Sequence, residues 1–455
     1  MARSENDRRI VVAPVVTMDP LRPAADALAT HGELITAVGT LAEVRAACPA
    51  QTPVEHLDGS VIVPGLIDAH LHLQRAGLKA VSVPPPAAAG WDAASYLAAM
   101  DRTAAQDEWP PGEPPSMADR LEGLLRVQPL LHALGLTAVI DPAVTADEMR
   151  AYQRARALGL LSLRVVAMPH PAVGFDDPAD AVNRLAGIGV STGFGDDLLR
   201  VGGIKVYFDG EGMRAQALLD RPWTPGTGDH GVQRISDDAF RRLAVFCAAH
   251  DWSIGVHAVG GAAVSRVLAI LAGIPGIDRL RCQLIHAYLE PSARSIAEAA
   301  RLGVIASLQP SIHWANAAGL IDRLGGRAVP ANPVRSWLDA GATVALGSDG
   351  PYFPFDPRHL IWQARTRMVR GRPAPVAPEQ AVTGAEALAG YTTGAAYASF
   401  AETRRGMLRP GLLADWVALS ADPTTCTPDE IRKAVVHRTV VGGRVVHQIR
   451  TGGTL

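Results

Sequence analysis

Six side chains could do chemistry together if the fold gathered them: His70, His72, Lys205, His257, His286 and Asp349. His70 and His72 close the run "VIVPGLIDAHLHLQ" (61–74), two residues apart, after an apolar stretch that breaks at Pro64-Gly65. Side chains alternate along an extended strand, so both imidazoles point to one side. Neutral imidazoles and carboxylates are ligands for zinc and similar divalent cations. A same-side pair can hold one ion, and a second ion would take His257 and His286. A lone lysine is a poor partner for cations, and burying its charge is costly. Addition of CO2 to its amine, however, gives a carbamate anion that can bridge two metals. Metal ions about 3.5–4 Å apart can share a hydroxide at neutral pH. Asp349 could bind a metal, take the hydroxide's proton and hand it to a leaving group.

Each residue alone has a plainer reading. The histidine pair could be two polar residues at a strand edge, and Lys205 could pair with Asp209. His257 could be a core histidine with its hydrogen bonds satisfied, and Asp349 could cap the next helix. The joint pattern favours the metal site, because all six fall at the ends of five apolar runs.

Those runs define the elements that must position the six. After the opening run come "TAVIDPA" (137–143), "LRVVAMP" (163–169), "GGIKVYFDG" (202–210), "SIGVHAVG" (253–260), "CQLIHAYL" (282–289), "VIASLQPS" (304–311) and "TVALGSDG" (343–350). Helical patterns separate them, such as "SDDAFRRLAVFCAAH" and "PSARSIAEAARLG", the second with Gly303 as its stop. Eight strand–helix units predict a (β/α)8 barrel, whose chemistry sits at the C-terminal ends of the strands. His257 and His286 lie 29 residues apart, close to one unit, and His286 and Asp349 lie 63 apart, close to two. In "GGIKVYFDG", Lys205, Tyr207 and Asp209 share a face, which points into the barrel if Ile204, Val206 and Phe208 face the helices. Both chain ends read as β instead, with Gly442-Gly443 as a hairpin turn. The stretch 73–116 reads as a long loop rich in Pro and Trp, placed where a lid would be.

Composition sets the outer limits. The chain has 455 residues, 48% apolar and 19% charged, enough for a large core. Its net charge of −2 gives no electrostatic reason to expect nucleic acid or an anionic membrane as a partner. Cys48, Cys247, Cys282 and Cys426 are far apart, which fits a reducing compartment better than a disulfide framework. No apolar run reaches the length of a membrane span, and the N-terminal segment does not read as a signal peptide. The expectation is a cytoplasmic protein acting on a small molecule, with a homodimer as the common default.

With these pieces in order, the chain resembles the amidohydrolase superfamily, and within it amidohydrolase family 3, the branch of the N-substituted formamide deformylases. The matching motifs are "VIVPGLIDAHLHL", "GGIKVYFDG", "VHAVGGAAV", "QLIHAYL", "ASLQPSI", "ALGSDGPYFPFDP", "EALAGYTTGAAYASF" and "RGMLRPGLLADWVALSADP". The resemblance implies an α/β fold: a (β/α)8 TIM barrel (63–402) beside a small β-sandwich built from segments 1–62 and 403–455. It implies hydrolysis of an amide or related C–N bond by a metal-activated hydroxide, usually with zinc. His70 and His72 would hold one ion and His257 and His286 another. Lys205, carboxylated, would bridge them, and Asp349 would be ligand and proton shuttle. A single ion on His257, His286 and Asp349, with Lys205 unmodified, is the other arrangement, and other divalent metals fit the same ligands.

Three departures bear on the substrate. Gly261 stands where the family often has an acid, "DGEGMRAQA" stands where the family favours a small Ser/Thr-rich run, and the segment after the first strand is shorter than in many members. Tyr207, Asp209, Arg214, Gln309, Trp314 and Tyr352 are the candidate substrate contacts, with Arg214 suited to a carboxylate and Trp314 to an aromatic wall. His170 and His313 read as bystanders. Ester hydrolysis, ring deamination and isomerisation use related scaffolds, and a non-catalytic binding protein is the remaining alternative.

Overall fold

The β-rich ends of the chain meet in one sheet. The computed structural model describes residues 8–86, 90–104, 106, 109–171 and 178–449. Five strands come first: β1 (Arg8–Val16), β2 (Ala24–His31), β3 (Leu34–Gly39), β4 (Val54–His56) and β5 (Val61–Pro64). A parallel set follows: β6 (Leu66–Asp68), β7 (Leu136–Val144), β8 (Arg164–Pro169) and β9 (Leu199–Val201). A second parallel set holds β10 (Ile204–Tyr207), β11 (Ile254–Gly260), β12 (Gln283–Leu289), β13 (Ile305–Leu308) and β14 (Val344–Leu346). β15 (Trp416–Leu419), β16 (Val436–Val441) and β17 (Arg444–Gln448) end the chain. β15 pairs antiparallel with β5, giving a mixed sheet in the order β17-β16-β15-β5-β1-β2-β3, with β4 on β1. Gly442 and Gly443 have φ of 55° and 74°, the left-handed pair that a two-residue hairpin turn needs, and they join β16 to β17.

The parallel strands are short and apolar because both faces are covered. β7, β11 and β12 are buried along their whole length, as strands between helices must be. All seven later runs contain strands, and helices lie between most of them. The opening run divides at its Pro-Gly break, with β5 joining the mixed sheet and β6 the parallel one. Gly65 is required at that step, since a Cβ there would sit 2.3 Å from Thr137 Oγ1. β9, which pairs with β8, is not legible as a separate run in the sequence. A hydrogen bond joins one edge of the first parallel sheet to the second: Ala69 N–H, just past β6, donates to Leu346 O on β14 (3.1 Å).

The stretch 73–116 differs from the expected loop, because it holds helices Leu73–Ser82 and Ala93–Arg102. Its residues 87–89, 105, 107 and 108 lie outside the described residues. Asp92 and Ser95 form a capping box that starts the second helix. The first helix packs so closely on Met117–Ala133 that a Cβ on Gly77 would meet the Gly123 carbonyl carbon at 2.8 Å. The tethers are Trp91 Nε1–H to Ala80 O (3.1 Å), Tyr96 O–H to Ala76 O (2.5 Å) and Lys79 Nζ–H to Thr103 O (2.8 Å). No helix among the described residues is long and apolar enough to cross a membrane.

Candidate metal centre

The ends of β6 and β14 are laced together, and the lacing sets three candidate ligands side by side. Asp68 Oδ1 accepts both His70 N–H and Ser348 N–H, each at 3.0 Å. Asp349 N–H donates to His70 O (2.6 Å), and His72 N–H donates to Gly350 O (2.8 Å). Asp349 Oδ1 then lies 3.4 Å from His70 Nε2 and 3.3 Å from His72 Nε2. One ligand atom from each of the three falls within 4.8 Å of the others.

The remaining candidates line the same wall. The ring centroid of His286 is 5.1 Å from that of His70 and 4.6 Å from that of His257. Lys205 is fully buried on β10, whose register sets it beside Gly255 and Tyr207 beside His257. All six line one cavity of about 550 Å³ at the C-terminal side of the parallel strands, with Arg75, Tyr207, Tyr288, Tyr352 and Phe353 among its other walls. His286 and Asp349 hold left-handed backbone, φ 81° and 57°, which non-glycine residues rarely adopt and which clusters at functional sites.

The electrostatics suit ligands for a cation. Burial, then Lys205, brings His70 down to about 3; burial, then Arg75, brings His72 down to about 4. Burial also holds His257 and His286 well below the usual histidine range. All four are therefore neutral imidazoles near pH 7, the form that offers a lone pair. Burial lowers the Lys205 ammonium to about 7. Burial alone would raise Asp349, but hydrogen bonds from His70 and His72 hold it well below the usual carboxylate range.

Several buried atoms at the site have no hydrogen-bond partner among the described residues: His70 Nδ1, His72 Nδ1, Lys205 Nζ and His257 Nε2. Leaving a buried polar atom unmade costs roughly 1–3 kcal/mol each. Neutral imidazoles, one carboxylate and buried unpartnered nitrogens around one cavity are a donor set that fits a divalent ion.

A polar layer lies behind the histidines. His286 Nδ1–H donates to Gln309 Oε1 (2.8 Å), and Gln309 Nε2 donates to Ser307 O (3.0 Å), which orients the amide. The proton on Nδ1 leaves the lone pair of His286 on Nε2. Asp209 accepts backbone N–H groups of Leu218, Val259 and Gly260 (3.0, 2.9 and 2.9 Å) and lies 3.7 Å from His257 Nε2. Asp141 Oδ1 lies 4.0 Å from His72 Nδ1, and its other oxygen accepts the Tyr152 hydroxyl. A hydrogen-bonded partner such as Gln309 orients a metal-binding imidazole, and losing one typically costs 10–100-fold in metal affinity. Gln309→Leu is expected to weaken zinc retention about 10–100-fold in a chelator titration; unchanged affinity would remove Gln309 from this role.

The structure sorts the other sequence candidates by place. Tyr207 and Tyr352 line the cavity, Tyr207 against the His257 ring (5.2 Å) and Tyr352 against the His72 ring (5.4 Å). Gln309 and Asp209 sit behind histidines. Asp209 bonds three backbone amides and is not an ion-pair partner of Lys205. Arg214 is on the cavity rim, its side chain 71% exposed and paired with Glu211 (3.1 Å). Trp314 packs against His359 and Trp362 and is not part of the cavity lining. The cap of helix Pro357–Thr366 is Asp356, which leaves Asp349 to the site. His170 Nδ1 bonds Lys205 O (3.0 Å), and His313 is buried on helix Pro310–Leu324. Sequence reasoning passed over Asp68, Asp141 and Arg75. Asp141 ends the run "TAVIDPA", the same signal that identified His257 and His286.

The model of the amidohydrolase family matches residues 113–447. The chain belongs to the amidohydrolase family. As a member it is a hydrolase of carbon–nitrogen bonds other than peptide bonds. An N-substituted formamide deformylase of Arthrobacter pascens is 26% identical over 553 aligned positions, covering 98% of this chain and 99% of the relative. An uncharacterised metal-dependent hydrolase of Pyrococcus horikoshii has a similar structure, with TM-score 0.74 at 19% identity, covering 93% of this chain and 99% of the other. The zinc complex of the atrazine chlorohydrolase TrzN of Arthrobacter aurescens gives TM-score 0.61 at 20% identity, covering 96% and 95%. The fold of this amidohydrolase is of the TIM-barrel type.

Proposed function

We propose that this amidohydrolase uses bound divalent metal to cleave an amide or related C–N bond of a small molecule at the His70–His72–Asp349 wall. The convergence of these three with Lys205, His257 and His286 on one cavity carries the reading. We further propose a (β/α)8 barrel over about 63–402 and a small β-sandwich from segments 1–62 and 403–455; pairing of β5 with β15 supports joining the two ends.

His70 and His72 would hold one ion and His257 and His286 a second, with Asp349 as a further ligand. The zinc complex of the structurally similar chlorohydrolase supports zinc. When bound, such ions polarise a carbonyl and lower the pKa of water to about 7. Lys205 would act as a carbamate: its neutral amine adds to the carbon of CO2 and loses one proton, leaving an anion suited to lie between two cations. Burial favours the neutral amine that this addition needs. Asp349 is the carboxylate that accepts a proton from the attacking water and delivers it to the departing nitrogen. Tyr207 and Tyr352 wall the space beside it. The deformylase relative acts on N-substituted formamides, so small acyl groups are the first amides to try.

Metal content per chain, measured by plasma emission on protein prepared without tag or chelator, tests the reading. About two zinc equivalents support the bridged pair. About one supports a single ion with an unmodified Lys205. None, with no hydrolysis after adding zinc and bicarbonate, sinks the hydrolase reading in favour of a binding protein. A panel of amides, esters, cyclic imides and aminopyrimidines separates amide cleavage from ester cleavage and deamination.

A further inference from the structure

Arg75 lies three residues beyond His72, in the first turn of helix Leu73–Ser82, and lines the cavity with the candidate ligands. Its Nη1–H donates to the Tyr352 hydroxyl at 3.1 Å, and the Tyr352 ring packs on the His72 ring. The guanidinium is thus one tyrosine away from the candidate metal centre. From behind, Nε faces Glu148 Oε1 at 3.8 Å, and Glu148 also caps helix Ala146–Ala157 by accepting Thr145 N–H (2.7 Å). These contacts fix the direction of the fork, while a quarter of the side chain stays exposed. A planar, fixed guanidinium matches a carboxylate in two-point geometry, and a fixed fork loses less freedom on binding than a mobile one. Arg214, the other arginine of the cavity, is largely exposed and paired with Glu211. It is the weaker anchor. The cavity lining also includes the apolar side chains of Met213, Val259, Ile312 and Phe353.

We infer that Arg75 makes the cavity selective for amides carrying an anionic group, a carboxylate above all, on the part of the substrate away from the scissile bond. This rests on the hydrolase reading and names its substrate class. Arg75 is a specificity-determining residue, and Tyr352 holds it at a set distance from the chemistry.

The test uses zinc-loaded protein in wild-type, Arg75→Met and Arg75→Lys forms, with two readouts. The first is calorimetric binding of benzoate against its neutral counterpart benzamide. Benzoate is expected to bind the wild type at least about tenfold more tightly than benzamide. Arg75→Met is expected to remove that advantage and Arg75→Lys to restore part of it. Benzoate affinity that persists in Arg75→Met assigns the carboxylate to the metal and overturns the inference. The second readout is the ratio of kcat/KM for an N-acyl amino acid to that for its C-terminal amide. The ratio is expected to exceed one in the wild type and to fall at least about tenfold in Arg75→Met, mainly through KM. Hydrolysis without such preference, unaltered by Arg75→Met, overturns the inference and leaves the hydrolase standing. No hydrolysis of either amide, with benzoate binding still lost in Arg75→Met, fails the hydrolase reading and leaves the anion site standing.

Discussion

Asp349→Asn is expected to lower kcat about 10²–10⁴-fold, the range for losing a positioned general acid–base group, while the fold and most of the bound metal remain. The exchange keeps shape and tests charge alone. Asp349 sits at φ 57°, a conformation that asparagine tolerates better than most residues, so the backbone is not strained further. Its neighbours His70 and His72 are held by their own backbone bonds to Asp68 and Gly350, which the substitution leaves in place. What disappears is the carboxylate oxygen 3.3–3.4 Å from both imidazoles, the atom able to take a proton from water and return it to nitrogen. The measurement is kcat on the best amide of the panel, beside zinc content and melting temperature. Turnover within about tenfold of wild type, at equal metal content, would remove Asp349 from proton transfer.

How far a sequence can be read depends on which forces place each residue. His257, His286 and Asp349 were legible because a polar residue that ends an apolar run has only the strand's C-terminal side to occupy. Lys205 was legible because period-two alternation puts it opposite Ile204 and Val206. Asp141, in the run "TAVIDPA", obeys the same rule. Arg75 was beyond the rule, since it belongs to helix Leu73–Ser82 and not to a strand. Trp314 shows the limit from the other side. Its position after "QPSIH" suggested a pocket wall, but the face it occupies on its helix is settled by His359 and Trp362, about 45 residues downstream. The stretch 73–116 misled through its prolines and tryptophans, while the Asp92–Ser95 cap and the apolar face of Ala93–Arg102 carried the helical signal.

Lys205→Met is expected to move stability and activity in opposite directions. Lys205 Nζ is buried, has no hydrogen-bond partner among the described residues, and lies 5.2 Å from the Tyr207 ring centroid. Burial brings its ammonium down to about 7, so in the metal-free protein near neutral pH the fold holds either a desolvated cation or an unsatisfied amine. Methionine fills nearly the same space without the polar atom. Removing an unmade buried polar group relieves roughly 1–3 kcal/mol, so the metal-free variant should melt a few degrees above the metal-free wild type. Activity should fall at least about 100-fold, the upper range for losing even an indirect metal contact, with one zinc equivalent fewer per chain if the lysine bridges two ions. A lysine kept only for structure would give the reverse: lower stability, unaltered metal content and nearly full turnover. Thermal melts of the metal-free proteins, metal analysis of the loaded ones and kcat/KM on one amide decide between them. A rise in melting temperature coupled to loss of turnover identifies Lys205 as a residue held at the expense of stability because the metal centre needs its nitrogen.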